Sequence, residues 1–217
     1  MKTNKPLVKR VELVTIEGHD EISDVLYREE NATYRLYDNL TKPMTLPELS
    51  KYSAKEKEKG NPYVPNSEEL WSVFTAIANS ENPELISRVR DELRGKWIRT
   101  LTAIDWYSNR NSRVIHNVKT PDAYFKQRKV LGEDGFIHQV KSKKLLENVL
   151  GTNNVKKINS VSQKINQTPM YQWRINSKPD KKLRTSVELY AGSGRLFLDC
   201  GGDPLDECPA FRVLRVD

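Results

Sequence analysis

The chain has 217 residues, a net charge of +7 and a charged fraction of 30%. Four Trp, nine Tyr and five Phe can seed a core, so the composition excludes a disordered chain. It also lacks an apolar run near the length of a membrane-spanning helix, and the length fits one large domain or two small ones.

The first stretch, "MKTNKPLVKRVELVTIEG", puts charges inside its apolar run and has no signal-peptide pattern. The expected location is therefore cytoplasmic. Leu7 to Ile16 reads as a strand ending at Gly18, and Thr33 to Tyr37 as a second. "TLPELSKYSAKEKEKG" reads as a helix capped by Thr45, with Pro47 in its first turn and Gly60 as its stop. "NPYVPN" is a link to the next helix, where Asn66 and Glu69 have capping-box spacing. Leu70, Trp71, Phe74, Ile77 and Ala78 form its apolar face. A further helix starts with Asn82 as cap and Pro83 in its first position, carries Leu85, Ile86, Val89 and Leu93, and stops at Gly95.

After Gly95 the pattern becomes β-branched and aromatic. Trp97 to Val118 reads as a hairpin around the polar cluster "SNRNS". "TPDAYFKQRKVL" allows a helix from Thr120-Pro121. "SKKLLENVLG" is a short helix, and Val155, Ile158, Val161 and Ile165 mark another that stops at Thr168-Pro169. Four strand patterns close the chain: Tyr171 to Asn176, Arg184 to Ala191, Arg195 to Cys200 and Phe211 to Val216. Pro179-Asp180 and Gly192-Ser193 supply turns, the latter as a two-residue II′ link, which predicts a four-stranded antiparallel meander. The expected fold class is α+β, helix pairs packed on antiparallel sheets. It divides into a lobe at 1–134 and a lobe at 135–217, or forms one body built from both.

In the first of those strands Tyr171, Trp173 and Ile175 share one face, while Arg174 points to the other. The expected place for the aromatic row is against the preceding helices. Exposed, the same rings would be a stacking platform for bases.

The charge is unevenly spread. Residues 94 to 184 hold 20 Lys/Arg against 6 Asp/Glu, a net of +14, between a flank of −4 and a flank of −3. A basic middle of this kind is a candidate polyanion-binding face. Its candidate contributors are Lys141, Lys143 and Lys144 near a helix start, with Arg174, Lys178, Lys181, Lys182 and Arg184 around the Pro179 turn. Candidate partners are nucleic acid or an acidic protein, and no membrane.

Chemical signatures are sparse. "AGSGR" lacks the third Gly and the following helix of a dinucleotide site, so it reads as a turn. His116 is a candidate general base with Asp105, on the facing strand, as its orienter. "DCGGDPLDEC" brings four carboxylates and two Cys together, but a closed zinc site needs more Cys or His ligands than that. It reads as a wide hairpin loop whose Cys200 and Cys208 could face each other. The helix pair and hairpin from Asn66 to Val118 have the element order of a helix-turn-helix with a wing, which would carry Arg88, Arg90 and Arg94 into a groove. Glu84, Asp91 and Glu92 on the same helix weigh against it. No metal or cofactor is expected. The expected function is a non-enzymatic protein that binds nucleic acid or another polyanion. The alternatives are a protein-interaction module, or a small metal-dependent hydrolase or nuclease.

Overall fold

The computed structural model describes residues 34–37, 39–80, 82–116, 123–125, 134–139, 143–173 and 179–215. The Leu7–Ile16 strand, Lys141, Arg174 and Lys178 lie outside them.

The helices begin where their caps dictate. Thr45 and Glu48 form a reciprocal capping box at the start of α1 (Leu46–Glu58). Asn66 Oδ1 accepts from the Glu69 N–H at 2.9 Å, and Glu69 Oε2 from the Asn66 N–H at 2.9 Å, at the start of α2 (Ser67–Asn79). Asn82 caps α3 (Pro83–Leu93) and Asn154 caps α5 (Val155–Asn166). The shorter α4 (Lys144–Leu150) lacks a side-chain cap and ends at Gly151 in the left-handed conformation.

The strands are β1 (Tyr34–Tyr37), β2 (Ile98–Trp106), β3 (Ser112–His116), β4 (Ala123–Phe125), β5 (Gly135–Phe136), β6 (Met170–Trp173), β7 (Leu183–Gly192), β8 (Arg195–Gly202) and β9 (Arg212–Arg215). Seven of them form one sheet in the order β4-β3-β2-β7-β8-β6-β5, and β1 pairs with β9 in a separate antiparallel pair. The fold is mixed α and β, as the sequence predicts. The large sheet takes strands from both sides of the expected 134/135 boundary.

Three expectations are corrected. The last four strands do not form a meander. β7 and β8 are an antiparallel hairpin, but β6 lies on the far side of β8 and runs parallel to it, while β9 leaves the sheet to join β1. Non-local pairing decides this, and short links between strands do not reveal it. The hairpin turn sits one residue further on. Gly192 pairs with Arg195, and Ser193 and Gly194 have φ of 51° and 68°, the paired positive values of a I′ turn. Ala123–Phe125 adds an edge strand to β3 and does not open a helix.

Helices α2 to α5 pack on one face of the sheet. Their core joins Leu70, Phe74 and Leu93 to Ile98, Ile104, Trp106, Val187, Leu189, Leu196 and Leu198. On the opposite face, among the described residues, the helical cover comes from α1, with Leu46 and Leu49 against Leu101 and Ala103 of β2. Among the described residues no helix is long and apolar enough to cross a membrane.

Candidate functional site: two clusters on the face away from the helix layer

Alternation along β2 separates two sets of side chains. Thr102, Ile104 and Trp106 meet the helix layer, where Thr102 Oγ1 accepts from the Ser67 N–H at 2.9 Å. Arg99, Leu101, Ala103 and Asp105 point to the other face. Asp105 and His116 therefore lie on opposite faces, because His116 pairs with Thr102 and Asp105 with Arg113. His116 Nδ1 is 2.9 Å from Thr102 Oγ1 and Nε2 is 3.0 Å from the Asn148 carbonyl. A carbonyl only accepts, so Nε2 carries a hydrogen and the ring ties β3 to α4. The expected dyad is not formed.

Asp105 has other partners. Its carboxylate is fully buried and accepts from Arg184 Nε at 2.6 Å and Nη2 at 2.9 Å, and from Arg113 Nη2 at 3.2 Å. Lys182 Nζ and the Tyr107 hydroxyl also lie 3.2 Å from Oδ2. Burial alone would raise this carboxyl, but the bonds to Arg184 and Lys182 outweigh it and hold the group at about 2. Arg110 lies over the Tyr107 ring at 3.9 Å, with Arg113 at 5.3 Å and Lys182 at 5.8 Å. One buried anion thus anchors three cations drawn from β3, β7 and the residues just before β7, with a fourth stacked on its neighbour. Lys181 is exposed beside them.

Of the remaining basic candidates, the two described ones do not join this cluster. Lys143 and Lys144 sit at the start of α4, in the helix layer, and Lys144 pairs with Glu147 at 2.9 Å. The described cations of the basic middle are therefore divided between two sides of the sheet. The winged-helix reading is corrected too. β2, the first strand of the hairpin, is an interior strand of the large sheet, and Arg90 Nε donates to the Ile165 carbonyl at 2.6 Å, tying α3 to α5.

The second cluster is aromatic. Met170 and Gln172 of β6 are buried, Met170 in the main core, whereas Tyr171 and Trp173 point the opposite way and stay half-buried. This reverses the expected burial of the row against the helices. Tyr190, Phe197, Tyr171 and Phe136 are successive cross-strand partners on β7, β8, β6 and β5. Trp97 stacks on Tyr190 at 4.3 Å and on Trp173 at 5.0 Å. Phe197 contacts Tyr171, Trp173 and Tyr190 at 5.4, 4.8 and 5.7 Å. Arg195 lies over Tyr171 at 4.5 Å and Phe136 at 5.5 Å. Phe136 also stacks on the exposed His138 ring at 5.7 Å. The signal for this row was present in the sequence as alternation in "YQW" and "ELY". What the sequence lacked was the strand order that lines the two up.

Between the clusters lies a buried polar row. Arg99 Nη2 is 2.6 Å from Glu188 Oε1, and Arg99 also donates to the carbonyls of Asp203, Pro204 and Asp206. Glu188 in turn pairs across the strands with Asp199, the parallel partner of Trp173. Burial pushes the Asp199 carboxyl up to about 6 against the lowering effect of the Gly201 N–H, with Glu188 and Asp134 adding to the rise. The "DCGGDPLDEC" loop is thus pinned by Arg99. Its thiols diverge: Cys200 enters the main core beside Gln172, and Cys208 bonds by its backbone to Met44. Among the described residues no three His, Cys, Asp or Glu groups are placed to hold a metal. Protein-family models, curated proteins and solved structures were compared with this chain, and none matches.

Proposed function

We propose that this protein binds a polyanion, nucleic acid, through the cation cluster around Tyr107. The observation that carries the reading is the convergence of Arg113, Lys182 and Arg184 on one carboxylate, Asp105, with Arg110 on the adjacent ring. Four cations against one anion leave an excess of positive charge on one patch. The buried carboxylate holds the side chains in place, so an arriving phosphate meets donors whose conformational entropy is already reduced. Arg113 and Arg184 direct their Nε–Nη2 edges at Asp105, so a phosphate oxygen would be met by the Nη1 side of Arg184. Nothing in the cluster reads a base edge, so contacts of this kind favour backbone over sequence.

The test is a titration of labelled oligonucleotides against wild type and the Arg110→Glu/Lys181→Glu double variant. Neither position bonds to Asp105, so the fold is spared. Wild type binds at low salt with a log-log salt slope of about −3 to −4, and the double variant binds roughly tenfold more weakly with a shallower slope. Absence of binding at high micromolar protein sinks the reading. Equal affinity of the two proteins places any contact elsewhere. Binding of an acidic protein with no affinity for oligonucleotides makes the cluster a protein-docking patch instead.

A further inference from the structure

We infer that the aromatic row on the sheet is a stacking platform for the unpaired bases of single-stranded nucleic acid. This rests on the polyanion reading above and narrows it to strands with free bases.

The row has the features such a surface requires. Its rings come from four adjacent strands and from Trp97, and they look away from the helix layer. Four strands at their ordinary spacing carry the row across about 15 Å, room for two to four bases. The rings are held in place from below. Phe197, 5% exposed, is the floor on which Tyr171, Trp173 and Tyr190 lean. Tyr190 lies close along its own strand, so that a Cβ on Gly192 would fall 2.3 Å from its ring. Yet Trp97, Tyr171, Trp173, Tyr190 and Phe136 all keep part of their surface open.

Charge separates a base platform from a plain apolar patch. The Arg195 guanidinium lies across Tyr171 and Phe136, at the end of the row nearest the β7–β8 turn. Arg94 and Lys96, just before Trp97, pair with Asp91 and Glu92 of α3 at 3.6 and 2.8 Å. A strand laid with its bases on the rings therefore has the Arg195 cation beside its phosphates on this edge. On the other edge Asp199 and Glu188 close the row with carboxylates. The phosphates must run along the Arg195 side. The Tyr107 cluster lies at the far end of the same face of β2, roughly 25 Å from Trp97 along the strand.

The chain reports on this site by itself. Trp71 and Trp106 are 2% and 0% exposed, so a quench of tryptophan emission by a strand comes from Trp97 and Trp173. The experiment compares a single strand of about 12 nucleotides, its duplex, and an abasic strand of the same length. Wild type should bind the single strand at least tenfold more tightly than the other two, with quenching. Trp173→Ala and Tyr171→Ser should each weaken the single strand about tenfold and leave the abasic strand unchanged, whereas Trp173→Phe should keep most of the affinity. Arg110→Glu/Lys181→Glu should weaken all three probes alike. Thermal melts confirm that each variant is folded, and Tyr171→Ser serves if Trp173→Ala is not. Equal binding of the three probes without quenching overturns the platform while leaving the polyanion reading in place. Loss of the double variant's effect, with the ring variants still active, does the reverse. Quenching by a neutral oligosaccharide but not by any strand gives the face to sugar rings and overturns the proposal. A concentration-dependent doubling of mass, abolished by Trp173→Ala, gives it to a second copy and does the same.

Discussion

Arg99 and Glu188 form an ion pair buried on the sheet face that α1 only partly covers, Nη2 to Oε1 at 2.6 Å, with both side chains 5% exposed or less. Such a pair contributes little net stability as a whole, yet removing one partner strands a buried charge. Glu188→Ala should therefore destabilise the protein by about 3–5 kcal/mol in urea unfolding. The paired change Arg99→Met with Glu188→Leu should cost clearly less than the single one. Because Arg99 holds three carbonyls of the 203–206 loop, amide exchange there should accelerate in both variants.

Asp105 gives stability a low-pH limb. Its folded value of about 2 lies below its ordinary 3.8, so the folded state binds fewer protons between those values. The stabilisation is complete above about pH 4 and is lost as pH falls through 2. Asp105→Asn should cost about 2 kcal/mol at neutral pH and remove this limb from a plot of unfolding free energy against pH. An unchanged acid limb in that variant would show that another carboxylate carries it.

Asp199 acts in the opposite sense. Its folded value of about 6 lies above the ordinary 3.8, so the folded state holds more protons in that interval. Stability therefore falls as pH rises from about 4 to 6, and the penalty persists at neutral pH. Asn keeps an acceptor for the Gly201 N–H and carries no charge. Asp199→Asn should raise neutral-pH stability by about 1–2 kcal/mol and have no effect below pH 4. Chemical denaturation at pH 4 and pH 7 distinguishes the two.

Gly192 is the position where a side chain would push Tyr190 away from its place along the strand. Gly192→Val should cost about 1–2 kcal/mol and separate Tyr190 from Trp97. The separation is read as a change in near-UV circular dichroism with the far-UV spectrum intact. A variant that leaves the near-UV spectrum unchanged would mean the ring has room to move.

Cys200 and Cys208 should remain thiols even in air. One faces the main core and the other lies by Met44 beyond the opposite face. Burial pushes the Cys208 thiol up to about 11, which keeps it slow to react at neutral pH. Titration with a thiol reagent after aerobic storage should find both groups in denaturant and almost none in the native protein. A disulfide recovered from the native protein would contradict this placement.

The sequence by itself determined most of the elements and the starts of three helices. Thr45, Asn66 and Asn82 cap them through short-range hydrogen bonds that need no tertiary partner. Period-two alternation likewise determined that Tyr171 and Trp173 share a face. Which face meets the helices was not legible, because β6 carries apolar side chains on both faces and the smaller Met170 and Gln172 are the pair that packs inward. The order of the strands was also beyond local reading. β6 lies parallel to β8 across the hairpin rather than beside β7, and only that arrangement turns separate alternating stretches into one row of rings. The same holds for the cation cluster. Lys182 and Arg184 stood out as a charge run, but Asp105, 79 residues from Arg184, meets it only because β2 and β7 are neighbours in the sheet. Charge spacing along a chain says where cations are plentiful. The buried carboxylate that gathers them is a product of long-range pairing, which the tertiary structure alone decides.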